Sequence, residues 1–262
     1  MNRPPGRSRA QGAPGARSGA RQARERKPPL RIFTTTLWEY PSQHYGEGMQ
    51  GDKRYVGATP SWVIWQLLQR YTKPKWLVID PMCGSGTTID VARDLGRRAL
   101  GYDLAPSRKD IFRADARKLP LEDAKADFVF VDPPYSTHVD YSDDPACIGK
   151  LDACELAKDD RPNAYYSAME QVIGQIDRVL KPDRHMALYV SDSFRKGKPF
   201  MPIGFKLFGM LCQRFDSIDI IAVVRHNEKL QRGNWHKAAE EGNYYLRGFN
   251  YLFIMHKPAA KR

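Results

Sequence analysis

The 262-residue chain predicts an α/β fold, a mostly parallel, doubly wound sheet with one antiparallel strand near the C-terminus. Three observations carry this expectation. The runs Trp76-Leu77-Val78-Ile79 and Phe128-Val129-Phe130-Val131 are short and wholly apolar, as strands covered on both faces must be. Stretches with apolar residues at helical spacing alternate with them. A loop with two glycines directly follows the first run, where folds of this class place their ligand-binding turn.

Composition narrows the setting. A formal charge of +12 and a pI near 9.5 point to a polyanionic partner, but the excess is uneven. Residues 1–30 carry eight Lys/Arg (Arg3, Arg7, Arg9, Arg17, Arg21, Arg24, Arg26, Lys27) against the single Glu25. With hardly an apolar side chain, this stretch is expected to be a disordered basic tail, leaving residues 31–262 as the folded domain. Such an arm either adds phosphate contacts or only solubilises the chain. Cys83, Cys147, Cys154 and Cys212 show no paired spacing, and no signal peptide is evident, so a reducing compartment is expected. No apolar run approaches the roughly 20 residues of a membrane helix. The expectation is a cytoplasmic or nucleoid-associated protein with no membrane partner.

Residues 37–46 hold three aromatics and His44, a set that stacks on a flat ring or packs as a loop. Thr59-Pro60 then opens a helix, Thr59 as cap and Pro60 in the first turn, with Trp62, Trp65 and Leu68 on its buried face. The strand at 76–79 runs into Asp80-Pro81-Met82-Cys83-Gly84-Ser85-Gly86-Thr87-Thr88, and a helix over 89–95 stops at Gly96. Gly84 and Gly86 let a ligand approach the backbone, and the free amides of the helix start hold a carboxylate. A dinucleotide fingerprint wants a third glycine where Ile89 stands, which argues against a pyrophosphate.

A second strand, 98–102, ends at Asp103, about 20 residues past the glycines, where a carboxylate accepts from both ribose hydroxyls. A third, with Ile111 and Phe112, leads to Asp115, a candidate acceptor for an adenine amino group. Three carboxylates at successive strand ends beside a two-glycine loop describe a site for an adenosine with a carboxylated tail. S-adenosyl-L-methionine fits that description.

The strand at 128–131 empties into Asp132-Pro133-Pro134-Tyr135. Proline donates no amide hydrogen and fixes its φ, so pairing stops there and the strand end is free to present groups. A carboxylate, a proline carbonyl and an aromatic ring converge at this tip. An exocyclic amino group on a flat base needs two acceptors for its hydrogens and a surface to stack on. A plain strand-to-loop turn is the other reading of these four residues.

Further along, residues 136–163 carry seven acidic side chains against three basic ones, either a mobile loop over a bound base or a solvated one. A helix near 166–180 presents Met169, Ile173, Ile176 and Leu180, and a strand spans 185–190. A helix at 203–214 and strands at 218–224 and 251–255 follow, the last one antiparallel. Residues 225–237 mix cations, amides and Trp235, the side chains used for phosphate and base-edge contacts. Arg225, Asn227, Lys229, Arg232 and Trp235, with Arg195, Lys196 and Lys198, form the candidate nucleic-acid face. His138, Cys147 and Cys154 match no standard zinc spacing, and no metal is expected.

The pair formed by Asp80–Thr88 and Asp132–Tyr135 resembles the signature motifs of the DNA amino-methyltransferases, which methylate adenine N6 or cytosine N4. The segment Gly57-Ala58-Thr59-Pro60-Ser61-Trp62 is similar to the one that precedes the glycine loop in that family. The resemblance spans about residues 34–257. It implies a Rossmann-like, S-adenosylmethionine-dependent methyltransferase domain, without the family's usual large target-recognition insert. By the same resemblance Asp80, Gly84, Gly86 and Thr87 contact the methionine part, on which the segment with Thr59 and Pro60 packs, Asp103 takes the ribose and Asp115 the adenine, and Pro81, Cys83, Ser85 and Thr88 complete the cofactor-binding set. Asp132, Pro133, Pro134 and Tyr135 take the base, flipped out of duplex DNA. Adenine is favoured over cytosine because Asp at the first motif position is more usual in the adenine enzymes. A restriction endonuclease is a possible companion. Two readings compete: a guanine-N2 methyltransferase of tRNA or rRNA, which has a similar loop and a Pro-Pro-Tyr site, and a cofactor-binding regulator without catalysis.

Overall fold

Alternation within the strands sorts their side chains onto two buried faces. The computed structural model describes residues 27–52, 54, 55, 57–138, 142–154, 162–194, 197–226 and 230–259. Among these, one sheet is built from β1 (Leu37–Trp38), β2 (Leu77–Asp80), β3 (Arg98–Asp103), β4 (Ile111–Arg113), β5 (Ala126–Val131), β6 (Leu180–Val190), β7 (Asp216–Val224) and β8 (Phe249–Lys257). Their spatial order is β1-β7-β8-β6-β5-β2-β3-β4. β8 runs antiparallel to both β6 and β7, while the other pairs are parallel. The expected mostly parallel sheet with an antiparallel C-terminal strand is what forms.

The helices are α1 (Ser61–Tyr71), α2 (Thr87–Asp94), α3 (Ala164–Val179), α4 (Ile203–Leu211) and α5 (Gly233–Glu241). Val129 and Val131 of β5, Met186 and Leu188 of β6 and Phe253 and Met255 of β8 pack on one face with Met169, Ile173 and Ile176 of α3 and Leu207 of α4. The residues between them, Phe128, Phe130, Ala187, Tyr189, Leu252 and Ile254, pack on the other with Trp62, Ile64 and Leu67 of α1. All six residues of β5 are buried, Asp127 through its pairing with Lys181, and the stretch from Phe128 to Val131 therefore reads as an apolar run.

Strand order decides where the site lies. From β2 the chain proceeds through β3 and β4 toward one edge, whereas β5 and β6 lead toward the other. The reversal falls between the neighbours β2 and β5, and ligands bind at the carboxyl ends of strands at such a switch point. The glycine loop follows β2 and Asp132 follows β5. Both motifs therefore open onto the same crevice.

Several local expectations change. Pro60 rather than Thr59 stands at the N-cap of α1, and no side chain caps this helix. The aromatic run at 37–46 is largely structural: β1 adds a short parallel strand to β7, and Trp38 and Tyr40 are buried beside Trp62. The second half of the candidate nucleic-acid segment at 225–237 is helical, from Gly233 on, instead of a loop between strands. Residues 1–26 of the basic tail and 139–141 and 155–161 of the acidic segment lie outside the described residues. Among those described, no helix is long and apolar enough to cross a membrane, and no group of three or more His, Cys, Asp or Glu is placed to hold a metal ion. The four cysteines are free thiols.

Candidate functional site

The glycine loop is held open by its own backbone and by a strap from an earlier segment. Gly84 and Gly86 have φ of 48° and 82°, the left-handed region that side chains disfavour. Space is the second constraint. A Cβ on Gly84 would fall 2.8 Å from the Tyr55 ring, and one on Gly86 would fall 2.7 Å from the Arg108 guanidinium. The glycines thus admit two side chains of this protein against the loop, where close approach by a ligand was expected. Arg108 in turn bonds both oxygens of Asp90, at 2.7 Å each, and pairs with Asp110. The Asp52 amide donates to the Ser85 carbonyl at 2.8 Å and the Gly51 amide to Asp90 at 2.8 Å, so Gly51, Asp52 and Tyr55 lie over the loop.

Asp80 ends β2 and is 4% exposed. It accepts from the Thr88 hydroxyl at 2.6 Å and the Met82 amide at 3.1 Å, tying the strand end to the first turn of α2. Burial pushes its carboxyl up to about 7 against the pull of those two donors, and the charges of Asp132 and Asp103 push the same way. Cys83 is buried, its thiol raised well above the ordinary value by that burial. Ser85 and Thr87 bond each other at 2.8 Å.

Asp103 and Asp115 stand at successive strand ends, as expected, and both already accept hydrogen bonds. Asp103 receives the Gly84 amide at 3.0 Å and the Ala105 amide at 2.9 Å. Asp115 is partly buried, which raises its pKa, but the Arg117 guanidinium and amide outweigh that and hold the carboxyl below its usual range. Both line a cleft walled by Leu104, Ala114, Ala116 and Ile148. Small-molecule sites combine such apolar walls with a few polar groups. A flat ring with hydroxyl and amino donors suits these two acceptors.

Asp132 is where three compartments meet. It lines the Asp103–Asp115 cleft, the glycine-loop cleft with Asp80, Gly84 and Thr87, and a third space walled by Tyr40, Pro60, Tyr189 and Asn250. Its Oδ2 accepts from the Thr59 hydroxyl at 2.5 Å and its Oδ1 from the Tyr135 hydroxyl at 2.7 Å. Burial pushes this carboxyl up to about 7, although Thr59, Tyr135 and the nearby Arg225 charge all favour ionisation. The Pro134 carbonyl is taken by the Tyr165 hydroxyl at 2.8 Å. Pro60 walls the third space, and Pro81 the first.

The residues of the candidate nucleic-acid face divide. Arg225 lies at the cleft, donating to the Ser191 hydroxyl at 3.2 Å and lining two compartments with Asp132 and Tyr135. Trp235 is 38% exposed on α5, and Arg232 precedes that helix. Lys198 is paired with Asp152. Arg195, Lys196, Asn227 and Lys229 lie outside the described residues. Sequence reasoning passed over Tyr55, Arg108, Asp192, Arg247 and Asn250. Arg247 lines the glycine-loop cleft with Asp192, and Asn250 donates to the buried Tyr189 hydroxyl at 2.5 Å. These residues come from separate segments, and no local spacing marks them.

Comparison with known proteins adds independent findings. A curated relative, the Type II methyltransferase M1.MboII of Moraxella bovis, is 32% identical over 71 residues, 26% of this chain and 27% of that protein. The match thus spans about a quarter of the relative's length. Among solved structures, the [4+2]-cyclase SpnF superposes with a TM-score of 0.50 at 14% identity, covering 81% of this chain and 89% of that one. TrmN from Thermus thermophilus gives 0.49 at 17%, covering 77% and 50%. The SpnF likeness speaks for the fold alone, since one fold hosts many chemistries. A family model described as DNA methylase, of the N6/N4 type, matches residues 13–114 and 126–261, so that both strand-end motifs fall inside it. With the match running through nearly the whole chain, and the two motifs closing on one crevice at the switch point, this protein belongs to the DNA methylase family.

Proposed function

We propose that the protein methylates the exocyclic amino group of a DNA base, adenine N6 first and cytosine N4 second, on a base flipped out of the duplex. The observation that carries this reading is the Asp132 carboxylate, fixed at a strand end where three compartments meet. The cofactor is S-adenosyl-L-methionine, which supplies an electrophilic methyl group on a sulfonium. Asp103 and Asp115 would take its ribose and adenine, and Asp80 with the loop from Gly84 to Thr87 its methionine part. The charges of Asp132 and Asp103 add to the cost of ionising Asp80 in this cleft, and a cationic ligand relieves that cost.

The protein's part in the chemistry is positioning and charge. An aryl amine is a poor nucleophile because its lone pair is delocalised into the ring. Asp132 and the Pro133 carbonyl accept its two hydrogens, favouring a pyramidal nitrogen with an exposed lone pair. The Tyr135 ring stacks on the base after extrusion, which costs the duplex a few kcal/mol. Arg225 and Arg247 bring cations to the same cleft, suited to the phosphates of the extruded nucleotide. Adenine is preferred because Asp132 stands where the cytosine enzymes more often carry Ser. A restriction endonuclease of the same specificity is the proposed partner, in keeping with the Type II relative.

The test is incubation with labelled S-adenosyl-L-methionine and either duplex DNA or total RNA, followed by digestion and identification of the modified nucleoside by mass. N6-methyladenine in DNA is expected. N4-methylcytosine would keep the reaction and change the base, label in RNA alone would move the substrate to RNA, and no label in either would leave a binding protein.

A further inference from the structure

Thr59 precedes α1 and would ordinarily cap it, yet its hydroxyl turns away to a carboxylate 73 positions along the chain. Asp132 receives one hydroxyl donor on each oxygen, Thr59 on Oδ2 at 2.5 Å and Tyr135 on Oδ1 at 2.7 Å. An ionised carboxylate offers about four lone-pair sites. We propose that Thr59 and Tyr135 are positioning residues: each takes one lone pair of Asp132, fixing the carboxylate plane and leaving the remaining pair on each oxygen for the amino group of the substrate base.

This inference rests on Asp132 accepting one hydrogen from the amino group of the base, and it gives Thr59 a role other than cofactor contact. The two donors come from opposite sides. Thr59 is carried by the loop ahead of α1, and Tyr135 by the turn that Pro133 and Pro134 impose after β5. With both in place the carboxylate cannot rotate without breaking a hydrogen bond. The other charged or titratable groups facing it are Arg225 from the end of β7, Asp80 from the end of β2 and Tyr189 from β6, with Asp103 behind Asp80. Only the two hydroxyls touch it directly with a hydrogen bond among the described contacts.

Hydroxyl donors favour the ionised carboxylate, so removing one raises its pKa. In Thr59→Val the acid limb of the methyl-transfer rate should move up by about one pH unit, the size expected for one charge-assisted hydrogen bond. Thr59→Ser should restore the wild-type limb, and Tyr135→Phe should shift it in the same direction. The readout independent of turnover is the carbon-13 carboxyl titration of Asp132 in the free protein, assigned by its absence in Asp132→Asn, with the same displacements expected. An unmoved Asp132 titration in both Thr59→Val and Tyr135→Phe overturns the proposal, as does a weaker cofactor affinity in Thr59→Val with the titration unchanged. Should Thr59→Val fail to fold, Tyr135→Phe carries the test by itself. Absence of methyl transfer by the wild-type protein would overturn the functional reading, while the carboxyl titration would still decide the positioning of Asp132.

Discussion

The two sides of the crevice are built in different ways. On the β2–β3–β4 side, strand-end carboxylates and a glycine loop lie close together in sequence and are locked by backbone: the Gly84 amide on Asp103, the Met82 amide on Asp80 and Arg108 across Asp90 and Asp110. On the β7–β8 side, side chains come from scattered segments, with the exposed Trp235 on α5, the half-buried Arg225 after β7 and the exposed Lys198 tied to a half-buried Asp152. The first side is rigid because its polar groups are buried and must be satisfied. The second is free to vary because its groups are solvated. On the proposed reading the locked side holds the cofactor, the variable side meets the DNA, and Asp132 at the end of β5 stands between them.

The sharpest break in that comparison is Asp132→Ala. Methyl transfer should fall by at least about 10²–10³-fold, as when one preorganised stabilising group is removed from an active site, with cofactor affinity within a few-fold of wild type by calorimetry. Retained turnover would place the chemistry elsewhere.

The next effect is pH. Asp80 and Asp132 are each pushed up to about 7 by burial, so the folded protein holds protons that the unfolded chain has lost by about pH 4. Stability of the free protein should therefore fall as pH rises from about 4 through 7, by at most about 4 kcal/mol for the buried Asp80. A sulfonium ligand favours the ionised carboxyls, so its affinity should rise about tenfold between pH 6 and 8. Melting curves with and without S-adenosyl-L-methionine check both signs. A cofactor-induced rise in melting temperature that shrinks toward pH 8 would contradict the charge argument.

What was legible in the sequence divides along the same line. The run Phe128-Val129-Phe130-Val131 can only be a strand covered on both faces, and Asp132-Pro133-Pro134 can only end it, so β5 and its tip followed from local chemistry. The loop at 80–88 likewise announced a strand-loop-helix unit. Thr59 was misread for the opposite reason: as a cap it obeys a local preference, but a partner 73 residues away outweighs that preference. Trp38 and Tyr40 resembled ligand-stacking residues because an aromatic side chain has the same signature in a core and in a site. Tyr55 and Arg108 were invisible, since only the folded loop brings them to Gly84 and Gly86.

The variable side is sharpened by Arg232→Glu. Placed at the start of α5 beside the exposed Trp235, Arg232 is expected to meet phosphate. Reversal should weaken DNA binding several-fold and lower the salt slope by about one, the increment for one lost phosphate contact. The rate on saturating DNA should hold, because Arg232 is not among the residues lining the clefts that meet at Asp132. An unchanged salt slope would move the interface off α5.

Lys198→Ala should do least. Its ammonium is already bound by Asp152, so it offers little positive charge to a phosphate, and the pair is at the surface, where ion pairs contribute about 0–1 kcal/mol. Less than a threefold change in DNA affinity is expected, with a melting temperature within about 2 °C of wild type. The pair has a second use that the measurement separates: Asp152 also accepts from the Cys154 amide, and its carbonyl accepts from the side chain of Asn163, which caps α3. If Lys198→Ala loosens DNA binding tenfold or more, Lys198 must leave Asp152 to reach the phosphate backbone, and the segment after β6 would join the variable side as a true contact surface.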